Sequence, residues 1–231
     1  MQCPKHIIGS PMKLYRSDYP NQVHQLSVSV SKHIYVSAAG RLRFQKKPLE
    51  VDLTGIGSSD RVHVVNYLIR DHFSGAFYGE VSSSRELEPV EQFLRRAWSV
   101  KAHYLFCGVP HHLLIPKTVG AAFHTIYDFV SSLGVEAHEP TSGFQAGVRD
   151  VRTWEESIGW SVKIADEEWS TLERAQSKTL ELVIDLNGEA SSWTSKIGRW
   201  LSPTTPVRDP SGKQYKIDFD DEEGARLICS E

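Results

Sequence analysis

The stretch that most constrains this chain runs from residue 50 to 84, EVDLTGIGSSDRVHVVNYLIRDHFSGAFYGEVSSS. It divides into three consecutive strand patterns, over 49–56, 62–69 and 76–82, the last after a turn at Phe73-Ser74-Gly75. A helical pattern follows, with Leu87, Val90, Phe93, Leu94 and Ala97 recurring at three and four residues. The first strand pattern holds Asp52 among apolar neighbours, and a carboxylate buried in a strand costs free energy unless something pairs with it. Asp52 is therefore either a ligand or a structural acid that caps a turn or pairs with a lysine.

Before this stretch, residues 1–25 hold Pro4, Pro11 and Pro20 with no clear period, and LSVSV over 26–30 alternates as a strand or hairpin does. After it come strand patterns at 102–107, 112–115 and 135–138. Helical patterns cover 119–133, closed by Gly134, and 148–160. The order β-β-β-α-β-α-β-α is that of a mixed α/β layer fold. Further on, 166–186 and 191–201 read as helices, Pro203, Pro206 and Pro210 mark a linker, and 214–219 with 225–229 suggests a terminal hairpin. The tryptophans Trp154, Trp160, Trp169, Trp193 and Trp200 fall at helical spacing with other apolar residues, as packing groups do.

Charge is unevenly spread. Residues 1–47 carry eight Lys and Arg against one acid, Asp18, whereas 209–231 carry seven acids against Lys213, Lys216 and Arg226. A basic arm suits a polyanion such as DNA, and Arg41, Arg43, Lys46 and Lys47 are the candidate phosphate contacts. The alternative for those four is a solvated hairpin edge. No apolar run approaches the roughly 20 residues a bilayer requires, and the start lacks the apolar core of a signal peptide. Three scattered cysteines form neither a disulfide framework nor a zinc spacing, which leads to an expected cytoplasmic location. His111-His112, His63, His72, His103 and His124 show no i, i+4 metal spacing with an intervening acid.

Five pieces then fall in the order of a known family. KKPLEVDLTGI resembles the strand that carries the first catalytic aspartate of retroviral-type integrases and bacterial transposases. VNYLIRDHFSGAFYG is similar to their second and third strands, and GVPHHLLIPKTVGAAF to the segment bearing the second aspartate. FVSSLGVEAHEP followed by FQAGVRDVRTWEE is similar to the loop and helix of the third carboxylate. The resemblance covers about half the chain. It implies an RNase H-like mixed five-stranded sheet flanked by helices, with a basic N-terminal extension (1–45), a core (46–162) and a smaller C-terminal subdomain (163–231). It also implies magnesium or manganese as cofactor if the site is active and none otherwise, DNA as partner, and a homodimer or another recombination protein as further partner.

Two-metal strand transfer needs three carboxylates, and the pattern departs from that. Asp52 takes the first position. Counting from Gly108-Val109-Pro110 puts Pro116 at the second, counting back from Gly120 puts Thr118 there, and neither is an acid. Asp150 falls at the third, with Glu155 and Glu156 further along, while Asp71 suits a turn better than chemistry. The expected function is thus an integrase- or transposase-derived DNA-binding protein that lacks strand transfer. The alternatives are an active divalent-metal-dependent transposase, integrase or nuclease with a rearranged carboxylate set, and a structural or regulatory interaction module that kept only the fold.

Overall fold

The computed structural model describes residues 17–140, 146–202, 204–220 and 224–230; the side chains of 146–148 and 220 are not described. Lys5, Lys13 and Arg16 of the basic arm, Pro203, and the acids Asp221, Glu222 and Glu223 lie outside the described residues.

The main sheet is built on β1 (Val23–Val36), β2 (Leu42–Phe44), β3 (Val62–Asp71), β4 (Phe77–Ser83), β5 (His112–Leu114) and β6 (Glu136–His138). Its order is β4-β3-β1-β5-β6, with β2 paired to the far end of β1. β1 runs antiparallel to β3 and parallel to β5, and β5 runs parallel to β6. This is an RNase H-like mixed sheet, with helices α1 (Val90–Trp98), α2 (Lys117–Ala122), α3 (Ile126–Ser132) and α4 (Ala146–Lys163) around it.

Alternation on β1 sets the two faces. Leu26, Val28 and Val30 are buried on one side, where Tyr67 of β3 meets Phe93 of α1 at 5.5 Å between ring centroids. Gln25, Ser27, Ser29 and Ser31 point to the other, beneath α4. Trp154 of α4 is fully buried there, donates to Asn66 Oδ1 at 3.1 Å, and approaches β4 at Gly79, where a Cβ would stand 3.3 Å from its ring.

The structure corrects the first strand. Residues 49–56 form turns leading into a short 3-10 turn, Ile56–Ser58. Leu53 and Ile56 are buried, so the apolar character is real, but Pro48, Gly55 and Gly57 break the extended backbone. The central strand is instead the alternating segment assigned above to the arm, so the arm boundary at 45 falls inside the sheet. The expected strand at 102–107 is irregular chain, and the helix expected at 119–133 is broken into α2 and α3 near Phe123 and His124.

The C-terminal part closes both ends of this layer. Helix α5 (Leu172–Asn187) lies along the edge strand β4. The Asn187 amide accepts from Phe77 N at 2.9 Å and donates to Phe77 O at 3.0 Å, which satisfies an edge that would otherwise invite pairing. Helix α6 (Lys196–Trp200) follows, and β7 (Val207–Arg208), β8 (Gln214–Asp220) and β9 (Gly224–Cys229) form a second, antiparallel sheet.

Buried Asn21 ties the pieces together. Its backbone adopts φ 60°, which asparagine tolerates. Its Nδ2 donates to Cys107 O and Pro206 O, and its Oδ1 accepts from Trp200 Nε1 and His24 Nε2. Trp98 Nε1 donates to His24 Nδ1, which fixes the proton of the neutral ring on Nε2. Cys107 is fully buried and its thiol is pushed up to about 12 by burial, the behaviour of a small hydrophobe. Among the described residues no helix is long and apolar enough to cross a membrane.

Candidate functional site

In an open sheet with parallel strands, chemistry gathers where strand order reverses, at the carboxyl ends of the strands. Here that point lies between β1 and β5. Gln25 of β1 stands opposite Leu114, the last residue of β5, and opposite Arg70 of β3 on its other side. Helix α4 crosses above and delivers Asp150.

The result is an ion cluster. Arg70 Nε donates to Asp150 Oδ2 at 2.5 Å and Arg70 Nη1 donates to Gln25 Oε1 at 2.8 Å. Lys196, from α6, donates to Asp150 Oδ1 at 2.7 Å, with its ammonium 4.7 Å from the Phe77 ring centroid. Only 12% of the Asp150 side chain is exposed. Both carboxylate oxygens thus carry a cation from the protein itself, and β1, VHQLSVSVSKHIYV, contains no acid to set beside them. Such a cluster holds α4 and α6 against the sheet, with each Asp150 oxygen accepting from a cation of the protein.

The other anticipated residues fall elsewhere. Asp52 sits in a turn, where Oδ1 accepts from Thr54 Oγ1 at 2.7 Å, Gly55 N at 2.9 Å and Thr54 N at 3.0 Å. The Thr54 hydroxyl, with the Gly55 amide, holds its carboxyl below the usual range. Its placement in a core strand is corrected; the turn-capping alternative matches the geometry. Pro116 precedes α2 as its N-cap, and Thr118 is exposed within α2. Glu155 is spoken for: its Oε1 accepts from Ser31 Oγ and from Lys32 N, each at 2.6 Å. Glu156 pairs with Arg152 at 2.7 Å. Asp71 is fully buried and braces the 73–75 turn, accepting from Ser74 N at 2.7 Å and Ser74 Oγ at 2.6 Å. Burial pushes its carboxyl up to about 6 against those hydrogen bonds.

Arg43, Lys46 and Lys47 are exposed on β2 and the turn after it, and Arg41 lies 3.8 Å from Glu167. Beside them a cleft of about 690 Å³ opens between β1–β2 and α4, lined by Lys32, Phe44, Arg152, Trp160 and Lys163 among others. Trp160 is 62% exposed and Trp193 82%, so these two do not pack as their spacing suggested, whereas Trp154 and Trp200 are fully buried.

The cluster partners Arg70, Lys196 and Gln25 were missed in the sequence. Arg70 had a signal, a cation closing an otherwise apolar strand; Lys196 had none, since only the tertiary fold brings it to Asp150.

No protein-family model matches this sequence, and no curated protein matches it. Solved structures do. The HTLV-2 integrase catalytic core domain, in complex with magnesium and in a dimeric form, is 16% identical with a TM-score of 0.46, over 81% of this chain and 100% of that chain. The simian T-cell lymphotropic virus intasome, in complex with PP2A regulatory subunit B56 gamma, is 12% identical with a TM-score of 0.51, over 94% of this chain and 82% of that chain. At such identity the second likeness speaks for the fold, and it agrees with the strand order above: the chain has an integrase-like RNase H fold.

Proposed function

We propose that this protein is an integrase- or transposase-derived DNA-binding protein of recombination that no longer performs strand transfer. The observation that carries the reading is the commitment of Asp150 to Arg70 and Lys196 on the sheet face where this fold would gather its carboxylates. Among the described residues, neither Asp52 nor Asp150 belongs to any group of three potential ligands within 4.8 Å of one another. A bridging pair of magnesium or manganese ions therefore has no three-carboxylate cage, and the positions after β5, Pro116 and Thr118, supply no replacement.

DNA binding rests on the lip formed by Lys32, Arg43, Lys46, Lys47 and Lys163. Glu156 is paired with Arg152, and Glu155, held by the neutral donors Ser31 Oγ and Lys32 N, keeps its charge as one acid against those five cations, so the lip still presents net positive charge to a phosphate backbone. A second copy of this chain or another recombination protein is the partner the reading implies, since the simian virus neighbour was solved within an intasome.

The test is fluorescence anisotropy of duplex and single-stranded DNA at several salt concentrations, together with a manganese-dependent nicking assay. Binding should weaken with salt by a log–log slope of about −3, and Arg43→Glu/Lys46→Glu/Lys47→Glu should remove most of it. Nicking should be absent from both proteins. Salt-independent binding, or nicking lost in Asp150→Asn, would overturn the proposal.

A further inference from the structure

Strands β5 and β6 place three potential ligands on one face. Their parallel register sets His112 beside Glu136 and Leu114 beside His138, and alternation turns His112, Glu136 and His138 the same way. Three atoms converge. His112 Nδ1 is 3.2 Å from His138 Nε2, His112 Nδ1 is 3.4 Å from Glu136 Oε2, and His138 Nε2 is 3.5 Å from the same oxygen.

Hydrogen bonding within the trio does not account for this triangle. A single hydrogen between the two imidazoles leaves the Glu136 oxygen facing the lone pair of the accepting nitrogen. Two hydrogens aimed at Glu136 leave two N–H donors 3.2 Å apart. Glu136 is 70% exposed and free to swing into water, yet its oxygen stays 3.4 and 3.5 Å from one nitrogen of each ring.

A small cation at the centre satisfies all three atoms. A tetrahedral zinc ion with ligands at about 2.0–2.2 Å requires ligand–ligand separations of about 3.3–3.6 Å, and the edges here are 3.2, 3.4 and 3.5 Å. Two imidazoles and one carboxylate suit zinc, whereas magnesium prefers an all-oxygen octahedron. The fourth position falls to water. His112 and Glu136 line a cleft of about 710 Å³, with His111, Arg208 and Lys216 among its other walls, so the site opens to solvent. We propose that His112 Nδ1, His138 Nε2 and Glu136 Oε2 form a zinc site with one exchangeable position, separate from the Asp150 cluster and independent of the DNA-binding reading.

The experiment uses the full chain, stripped with a chelator, titrated with zinc chloride by calorimetry and with cobalt(II) by visible absorption. One zinc per chain is expected, and a tetrahedral cobalt spectrum. Glu136→Gln and His112→Ala should each weaken zinc by roughly tenfold or more and abolish the spectrum. His111→Ala should leave both unchanged. Because Glu136 is exposed, Glu136→Gln should melt like the parent in chelator, so its result stands even where His112→Ala folds poorly. Failure to take up stoichiometric zinc, or uptake that survives both substitutions undiminished, would overturn the proposal.

Discussion

Asp150→Asn separates a structural ion cluster from a metal site, because the two roles move stability in opposite directions. The substitution keeps the shape of the side chain and removes its charge. One amide oxygen remains to accept, but the new amide donors face either the Arg70 guanidinium or the Lys196 ammonium, both of which only donate. Breaking a fully buried pair typically costs about 3–5 kcal/mol. Arg70 is 14% exposed and Lys196 27%, so water screens part of the loss and about 2–3 kcal/mol is expected. For a chain of this size that lowers Tm by roughly 5–10 °C. Urea titration followed by tryptophan fluorescence measures it, and Lys196→Met in the Asp150→Asn background should recover part of the loss, since one stranded cation is gone. A carboxylate held for a metal among other acids behaves otherwise, because its removal relieves repulsion. Unchanged or raised stability in Asp150→Asn would refute the cluster and reopen catalysis.

Three further outcomes follow from the geometry. Burial drops His24 to about 3 in the folded protein, against an ordinary value of 6.5, so the unfolded chain binds the proton first and stability is lost as pH falls from 6.5 toward 3. Asp71, raised to about 6, opposes this in part, because its folded form takes up a proton more readily than the unfolded chain does. From these two groups the net change from pH 7 to pH 5 should be a small loss, less than about 1 kcal/mol, read as a lower urea midpoint; a midpoint that rises would contradict the sign. Gly108→Ala should cost about 2–4 kcal/mol, since φ is +97° and a Cβ would stand 2.5 Å from buried Asn21 Nδ2, and thermal melting measures it. Trp160→Ala should leave stability within about 0.5 kcal/mol while weakening single-stranded DNA by about 1–3 kcal/mol, seen as a raised Kd in anisotropy.

The fold was largely legible because its signals are local. The β-branched and aromatic content of 62–69 and the turn before 76–82 gave β3 and β4 almost as they stand, and the apolar spacing of 87–97 gave α1. The error lay in rank. LSVSV alternates as cleanly as any strand here, but its serines, lying under α4, made it look like a polar hairpin at the edge. Asp52 drew the central position to a segment whose apolar residues Leu53 and Ile56 are buried from a turn. Apolar content reports burial, and in a short run it does not report extension.

Of the site, the sequence pointed to Asp150 but not to its partners. The lack of an acid at Pro116 and Thr118 could be counted along the chain, whereas what occupies the sheet face instead depends on distances in space. Arg70 and Lys196 lie 80 and 46 residues from Asp150, and no spacing rule links them. The same holds for the imidazoles. His112 and His138 are 26 residues apart, outside any helical pattern, and they meet because β5 and β6 run parallel and in register. A two-residue step such as Glu136 to His138 becomes a ligand pair on a strand, where period two puts both on one face, and only a neighbouring strand supplies the third. Helical metal motifs can be sought in one sequence; cross-strand ones wait on the register. For this chain the chemistry therefore follows the register of its sheet more than the motifs along its length.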